Sequence, residues 1–278
     1  MVDTQRYPLS TPTGAGWKAV VSGVRHDLRE LGCSVLPGFI RSSLVATLRL
    51  ESSTVAPLAF AGVETVNVYN TLADPSLPDG HPARTTMQRG NAFVARENIP
   101  AAFVVHQLYT DPKVRQFIAG CFELTQVYEL ADPFAGLCIN VMASGREHPW
   151  HFDKNELTVS LLISEPDAGG TFEYCPNIRS VQSENFDEVG AVLDGRGGHR
   201  IRRLALRPGD LQLFKGRYSL HRVSPVEGRT ERHSAIFAYS ECPGVIGTTA
   251  RTRQLFGRIL PAHRAAEDDA VRVDYLLD

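Results

Sequence analysis

The sequence has few cysteines, no excess of either charge and no long apolar run. Its five cysteines are scattered without a CxxC pair, so we expect neither a disulfide framework nor a thiolate zinc site, and a reducing cytoplasm fits best. The 29 basic and 31 acidic side chains leave a net charge of −2, which provides no bulk attraction to nucleic acid or to an anionic membrane. No apolar run approaches the roughly 18–20 residues of a membrane-spanning helix, and the first 16 residues lack the basic-then-apolar order of a signal peptide.

What the sequence does contain is an ordinary globular composition, 43% apolar and 22% charged over 278 residues, which is enough for a sizeable core. Residues 1–16 are polar and rich in Pro, Thr and Gly, so we expect a flexible N-terminal arm followed by a single domain over residues 17–278. Apolar side chains at three- and four-residue spacing predict a helix at Trp17–Leu31, and a second is predicted at Arg41–Glu51. Asp111, followed directly by Pro, should cap a third helix.

The second half of the chain has a different character. Short apolar segments alternate there with turns rich in Gly, Pro and Asp, which is typical of an antiparallel sandwich or barrel. We therefore expect an α+β fold in which N-terminal helices buttress a β core at about residues 134–241, while the polar segment Asn185–Gly198 forms a surface excursion. The strand candidates are Gly136–Ala143, Leu157–Ile163, Thr171–Tyr174, Ile201–Leu206, Leu211–Phe214, Ser219–Val223 and Ser234–Tyr239.

The clearest chemical feature is the tripeptide His151-Phe152-Asp153, with His221 68 residues after Asp153. Residues two apart on a strand project to the same face, so His151 and Asp153 can reach one point, and His221 on a later strand supplies a third donor. Two imidazoles and one carboxylate suit a non-haem Fe(II) centre with open coordination positions. The tripeptide by itself is a weak signal, and a loop histidine beside an acid is the alternative.

Further along the chain lies a candidate receptor for an anion. Arg232 and Ser234 share one face of a strand that begins 11 residues after His221, and a guanidinium beside a hydroxyl binds a carboxylate well. Arg229 competes for this role but lacks the R-x-S pattern. The turn and strand at Arg207–Phe214 would return the chain beside the first ligands.

Taken in order, the segments HFD, GGTFEY, RPGDLQLF and HRVSPVEGRTERHSAIF resemble the Fe(II)/2-oxoglutarate-dependent dioxygenases. The resemblance implies a double-stranded β-helix, a distorted, cupin-like jelly roll. It also implies that His151, Asp153 and His221 bind Fe(II), and that 2-oxoglutarate and O₂ are co-substrates.

The same resemblance implies how 2-oxoglutarate is held. Arg232 would bind its distal carboxylate, with Ser234 assisting. Asn140 is a further candidate, because a polar side chain midway along an apolar strand needs a partner if it is buried. Pairing of Asn140 with a neighbouring strand is the alternative.

The segment Ala131–Ser180 also resembles small bacterial enzymes related to the BesD-type lysine halogenases, which act on free amino acids. Those halogenases carry Gly at the position of Asp153, which opens a coordination site for chloride, so the retained Asp implies hydroxylation. A His just before the metal His and an upstream Arg bind the substrate carboxylate in that family, and by position these are His148 and Arg89. Arg84 lies close by and stays an alternative to Arg89.

Each substrate residue also has a plainer interpretation. His148 could be an ordinary loop histidine, and Arg84 or Arg89 a solvated surface charge. Trp150, beside the metal ligands, would either form a wall of the substrate pocket or only pack in the core.

The sequence therefore predicts an Fe(II)/2-oxoglutarate oxygenase that hydroxylates an aliphatic C–H of a free amino acid or similar small molecule, with succinate and CO₂ as co-products. Desaturation, cyclisation or peptide hydroxylation would use the same cofactors. A cupin-like metal-binding module without turnover is the alternative from another class. We expect no nucleic-acid or membrane partner, and a C-terminal helix at Arg251–Arg264 would buttress the barrel or form a homodimer contact.

Overall fold

The computed structural model describes residues 1–71, 74–155, 157–266 and 276–277. Among these residues, no helix has the length and apolar character needed to cross a membrane. The α-helices of the described chain are α1 (Ala15–Glu30), α2 (Val45–Val55), α3 (Val104–Thr110), α4 (Pro112–Cys121), α5 (Phe186–Leu193), α6 (Thr249–Phe256) and α7 (Pro261–Ala265).

The strands are short, and every pairing between them is antiparallel. They are β1 (Cys33–Leu36), β2 (Phe60–Ala61), β3 (Glu64–Val66), β4 (Met87–Arg89), β5 (Ala92–Val94), β6 (Tyr128–Glu129), β7 (Leu137–Met142), β8 (His148–His151), β9 (Thr158–Ser164), β10 (Ala168–Gly169), β11 (Phe172–Cys175), β12 (Arg202–Leu204), β13 (Leu211–Phe214), β14 (Leu220–Val223), β15 (Val226–Glu227) and β16 (Arg232–Ser240).

Two sheets form the β core. The major sheet has the strand order β1-β13-β9-β16-β7-β5-β2, with β6 beside β16, and the minor sheet has the order β12-β11-β14-β8. The sheets face each other across a shared apolar cluster, in which Met142 and Phe214 of the major sheet meet Phe172 and Tyr174 of the minor sheet. This is the double-stranded β-helix, and the predicted fold is confirmed.

The helices α1 to α4 cover the outer face of the major sheet. Buried side chains such as Leu28 of α1 and Phe117 of α4 belong to the same core cluster as Leu161 and Phe237 of the sheet. The helix predicted after Asp111 begins at Pro112, and the Asp111 carboxylate accepts a hydrogen bond from the backbone N–H of the second helical residue. The predicted helical buttress is therefore present.

Residues 1–16 differ from the expected flexible arm. Val2, Tyr7 and Leu9 are buried in the main core cluster, and the Tyr7 hydroxyl donates to the Pro37 carbonyl at 2.8 Å. The Tyr7 ring also lies 5.2 Å from that of Phe39. A few apolar side chains among polar neighbours are enough to dock this segment, because each covers core surface that would otherwise meet water.

Candidate active site

The predicted metal ligands meet where two strands of the minor sheet pair. His221 of β14 lies directly opposite His151 at the end of β8, and Asp153 follows two residues later. The Asp153 Oδ1 atom lies 3.6 Å from Nε2 of His151 and 3.5 Å from Nε2 of His221. One donor atom from each residue fits within 4.8 Å of the others. Both imidazoles are buried.

Backbone carbonyls orient both imidazoles. Nδ1 of His151 lies 2.8 Å from the Pro149 carbonyl, and Nδ1 of His221 lies 3.0 Å from the Ser219 carbonyl. Because a carbonyl only accepts hydrogen bonds, each Nδ1 carries a proton, and in the neutral form of each ring Nε2 directs a lone pair towards the carboxylate. Metal-ligating histidines are held in this way.

The carboxylate of Asp153 is held as firmly. Its Oδ2 atom accepts a hydrogen bond of 2.6 Å from the Thr158 hydroxyl, which leaves Oδ1 facing the imidazoles. Its backbone N–H donates to the Gly216 carbonyl at 3.1 Å. A Cβ atom at Gly216 would collide with Oδ2, so the chain leaves room here for an acidic side chain.

The protonation states also suit a metal. Burial, and then the charge of His221, lower the pKa of His151 to about 4. Burial alone would raise the pKa of Asp153, but the two neighbouring imidazoles outweigh it and hold that pKa well below its usual range. Neutral imidazoles and an ionised carboxylate are the forms that bind a metal, and this donor set fits Fe(II).

A buried cation without an acidic partner lies along β16. The Arg232 guanidinium donates to the Ser234 hydroxyl at 3.2 Å, and no carboxylate of the described residues lies within ion-pair distance of it. Burial lowers the pKa of Arg232 to about 10, because an unpaired charge is costly to bury. Arg232 lines a cavity of about 180 Å³, so this guanidinium is available to an anion. Arg229, the competing arginine, is exposed.

Two amide side chains share this face of the major sheet. Asn140 of β7 pairs with Ser234 of β16, and its Oδ1 atom is buried without a partner. Asn91 directly precedes β5, whose Phe93 pairs with Asn140, and neither polar atom of the Asn91 side chain has a partner. Asn91 is not among the residues predicted from the sequence. Its burial depends on β5, and a strand of three residues is too short to be recognised from its sequence pattern.

The chain matches the Halogenase D family model over residues 18–245. It belongs to the Halogenase D family. The family, the fold and the His–Asp–His triad together identify a 2-oxoglutarate–Fe(II) oxygenase, and the prediction of Fe(II) and 2-oxoglutarate is confirmed. No curated protein sequence matches the chain.

Solved structures show the same fold at low sequence identity. AviO1 from Streptomyces viridochromogenes Tue57 is 12% identical with a TM-score of 0.54, covering 81% of this chain and 96% of its own. A 2OG-Fe(II) oxygenase-family oxidoreductase from Burkholderia pseudomallei is 18% identical with a TM-score of 0.50, covering 81% and 92%. The epimerase SnoN, in complex with Fe³⁺, α-ketoglutarate and nogalamycin RO, is 14% identical with a TM-score of 0.52, covering 80% and 84%.

In this family member, His148 lies against the metal ligand His151, and Arg89 lies close enough to His148 for its charge to act on it. The His148 ring stacks on that of His151 with 3.8 Å between centroids, and its buried Nε2 atom has no partner among the described residues. Arg89 pairs with Glu64 at 2.8 Å through one nitrogen, while its Nε and other terminal nitrogen have no partner in the described part of the chain. Burial, the neighbouring His151 and then Arg89 lower the pKa of His148. Arg84 instead faces outward and pairs with Asp79.

Of the two roles predicted for Trp150, the structure shows core packing and not a wall of the substrate pocket. It lies on the opposite face of β8 from His151 and packs in a cluster with Cys175, Leu220 and Val189 of α5. The Arg222 guanidinium covers its ring at 4.8 Å. Trp150 therefore packs in the core behind the minor sheet and does not line the metal site.

A second cavity, of about 420 Å³, includes Lys154, the residue directly after the metal ligand Asp153, in its lining. It lies between β3, the segment after it and α6, and its lining includes Glu64, Asn70, Lys154, Arg251 and Gln254. The helix expected at Arg251–Arg264 was assigned to buttressing or to a homodimer contact, and none of its side chains was placed at the site. No local pattern carries that information, because Arg251 lies 30 residues after His221, the nearest of the iron ligands along the chain.

Proposed function

We propose that this oxygenase hydroxylates an aliphatic C–H bond of a free amino acid or a similar small molecule. The observation that carries the proposal is that Asp153 presents an ordered carboxylate to the metal site. The Thr158 hydroxyl orients this carboxylate, and the absence of a side chain at Gly216 leaves space for it. A carboxylate bound to iron fills the coordination position that a halide would need. For this reason we propose that the chain is a hydroxylase, although the family to which it belongs is named for halogenases.

The residues of the chain have separate roles in this proposal. His151, Asp153 and His221 would hold Fe(II), which with 2-oxoglutarate and O₂ would supply the oxidising chemistry, with succinate and CO₂ as co-products. Arg232 neutralises the distal carboxylate of 2-oxoglutarate, and Ser234 positions the guanidinium through the hydrogen bond between them.

His148 and Arg89 are proposed to bind the carboxylate of the substrate. Arg89 is buried and His148 is half-buried, and both have buried nitrogen atoms without a partner among the described residues. Such an atom needs a ligand or water to offset its desolvation. Because His148 stacks on His151, an amino acid bound by His148 would lie next to the iron. Glu64, which holds one nitrogen of Arg89, keeps the guanidinium oriented.

The test is succinate formation from 2-oxoglutarate in air with Fe(II), ascorbate and chloride, across a panel of L-amino acids. We expect one member or one group of the panel to raise the rate well above the substrate-free rate, with a product that gains one oxygen atom. The Asp153→Asn variant is the control for succinate formed without the iron site.

Each other outcome points to a different function. A chlorinated product would contradict hydroxylation, and a product that has lost two hydrogens would show desaturation or ring closure. If succinate is released but no amino acid stimulates its release, the substrate would instead be a peptide or a carrier-bound acyl group. Iron binding without any use of 2-oxoglutarate would leave only a metal-binding module.

A further inference from the structure

The helix α6 packs against β5 and β2 at the edge of the major sheet and carries the cation Arg251. Phe256 of α6 packs against Phe93 and Phe134, with ring centroids 6.4 and 5.6 Å away. One turn earlier on the same helix, Arg251 and Gln254 reach the cavity of about 420 Å³. This volume suits a small molecule.

Arg251 is connected to the iron ligands by two hydrogen bonds. Its guanidinium donates to Asn70 Oδ1 at 3.3 Å, and Asn70 Nδ2 donates to the carbonyl of Phe152 at 3.1 Å. Phe152 stands between His151 and Asp153 in the sequence. The charge of Arg251 also interacts with that of Asp153, so this guanidinium belongs to the space in front of the metal.

The charge of Arg251 has no acidic partner in the described part of the chain. Its hydrogen-bond acceptors are two neutral amides, Asn70 and Gln254, the latter at 2.5 Å. Glu64 is the one acidic residue among the described residues lining this cavity, and it pairs with Arg89. Burial, and then the charge of Arg89, lower the pKa of Arg251 to about 10.

We propose that Arg251 binds an acidic group of the substrate, so that the preferred substrate is an amino acid with an anionic side chain. This inference rests on the proposed function. If His148 and Arg89 take the main-chain carboxylate, the guanidinium of Arg251 remains for a second anion. A neutral substrate would bury that guanidinium further without compensation, whereas a carboxylate or phosphate fits its planar set of donors.

The side-chain anion is tested with matched substrates on the intact iron-loaded enzyme. The pairs are aspartate with asparagine and glutamate with glutamine, which differ little in size, and O-phosphoserine is compared with serine. We expect the acidic member of a pair to have a kcat/KM for succinate formation at least about tenfold higher, the size of one charge-assisted hydrogen bond. The phosphate pair distinguishes a phosphorylated substrate from a dicarboxylic one.

Arg251→Gln tests the residue itself. This variant keeps a hydrogen-bond donor for Asn70 but removes the charge, so the KM of the acidic substrate should rise about tenfold while its amide partner is unaffected. Arg251→Lys should recover part of the loss. Arg264→Gln, an exposed arginine on α7, is the matched control and should leave both substrates unchanged. The affinity for 2-oxoglutarate, measured by calorimetry, should be the same in all variants.

Three results would overturn the inference. Equal kcat/KM for acids and amides would refute the anionic side chain and leave the proposed function intact. An equal loss for acid and amide in Arg251→Gln, with a lower melting temperature, would show that Arg251 only holds α6 in place. If no amino acid stimulates the enzyme, the proposed function and this inference fail together.

Discussion

The position of the Asp153 carboxylate depends on the absence of a side chain at residue 216. Gly216 has no side chain where a Cβ would collide with Oδ2, and its backbone is not in the left-handed region that favours glycine. Alanine is therefore excluded at position 216 by the neighbouring carboxylate and not by the backbone. Metal binding by Asp153 therefore requires this space around its carboxylate as well as the carboxylate itself.

Gly216→Ala should therefore displace the carboxylate, weaken Fe(II) binding and lower the free energy of unfolding by about 1–3 kcal/mol, as overpacking does. In the Asp153→Gly background the same change should cost almost nothing, because the colliding atoms are gone. Urea unfolding of the two single variants and the double variant measures this coupling. Equal costs in both backgrounds would contradict the packing argument.

Arg232 and Arg229 make a second comparison between single residues. Arg232 is buried and unpaired with any described acid, whereas Arg229 is exposed. Arg232→Gln should weaken 2-oxoglutarate binding by at least about tenfold, since a charge-assisted contact is lost, and Arg229→Gln should not change it. Calorimetric titration of 2-oxoglutarate into the anaerobic iron-loaded protein checks both variants. An effect of the same size in each would refute the assignment.

At the scale of elements, the C-terminal helices are tied to the barrel by one buried acid. The Asp132 carboxylate accepts hydrogen bonds from the backbone N–H groups of Phe134 and Ala135 at 2.8 Å and from that of Gly247 at 3.0 Å. Nε2 of His263 in α7 lies 3.3 Å from Asp132 Oδ2. The position of α6, between Gly247 and α7, follows from these contacts.

Asp132→Ala should lower the free energy of unfolding by about 3 kcal/mol or more, because three backbone donors lose a charged acceptor. It should also raise the KM of the substrate, since α6 carries Arg251. Asp194, an acid that pairs with Arg196 at the surface, provides the matched control, and Asp194→Ala should change the free energy of unfolding by less than about 0.5 kcal/mol. An Asp132→Ala variant as stable as the wild type would refute this role.

Two elements differ from the sequence predictions for the same reason. The segment Asn185–Gly198 was expected to be a surface excursion, yet it contains α5, whose Val189 and Val192 are buried. Residues 1–16 were expected to be flexible and are packed. In both segments a few apolar residues stand among polar ones, and only the presence of a complementary surface decides whether they are buried.

For the whole molecule, the metal site makes stability depend on pH. The pKa of His151 is lowered from 6.5 to about 4, so between these values the unfolded chain binds a proton that the folded chain does not. The free energy of unfolding of the iron-free protein should therefore fall as the pH drops from 6.5 to 4, by at most about 3 kcal/mol. His148, whose pKa burial also lowers, acts in the same direction.

Urea unfolding at several pH values between 4 and 7 measures this dependence. Replacing both His148 and His151 by Asn should flatten the profile over that window, because the groups that titrate differently in the two states are gone. A slope unchanged by the double replacement would show that other groups cause it.

Strand periodicity predicted the antiparallel β core, the H-x-D spacing predicted two of the three metal ligands, and the R-x-S pair predicted the arginine that is buried, whereas the β-helix was implied by the family resemblance. The periodicity and the two spacings are properties of residues close together along the chain, which strand alternation controls. His148 shows the limit of that rule. Strict alternation would place it on the face of Trp150, but a register shift gives β8 one more residue than β14 between His151 and His148, and a bulge turns such residues to a new face.

Contacts between distant segments were decided only by the tertiary structure. The clearance between Gly216 and Asp153, the unpaired amides of Asn91 and Asn140 and the position of Arg251 all join parts of the chain that no local pattern connects. The sequence alone determined which chemical groups are available and which of them share a strand. Their separation, burial and lack of partners depend on how the sheets and α6 pack, because desolvation and charge compensation arise only where those surfaces meet.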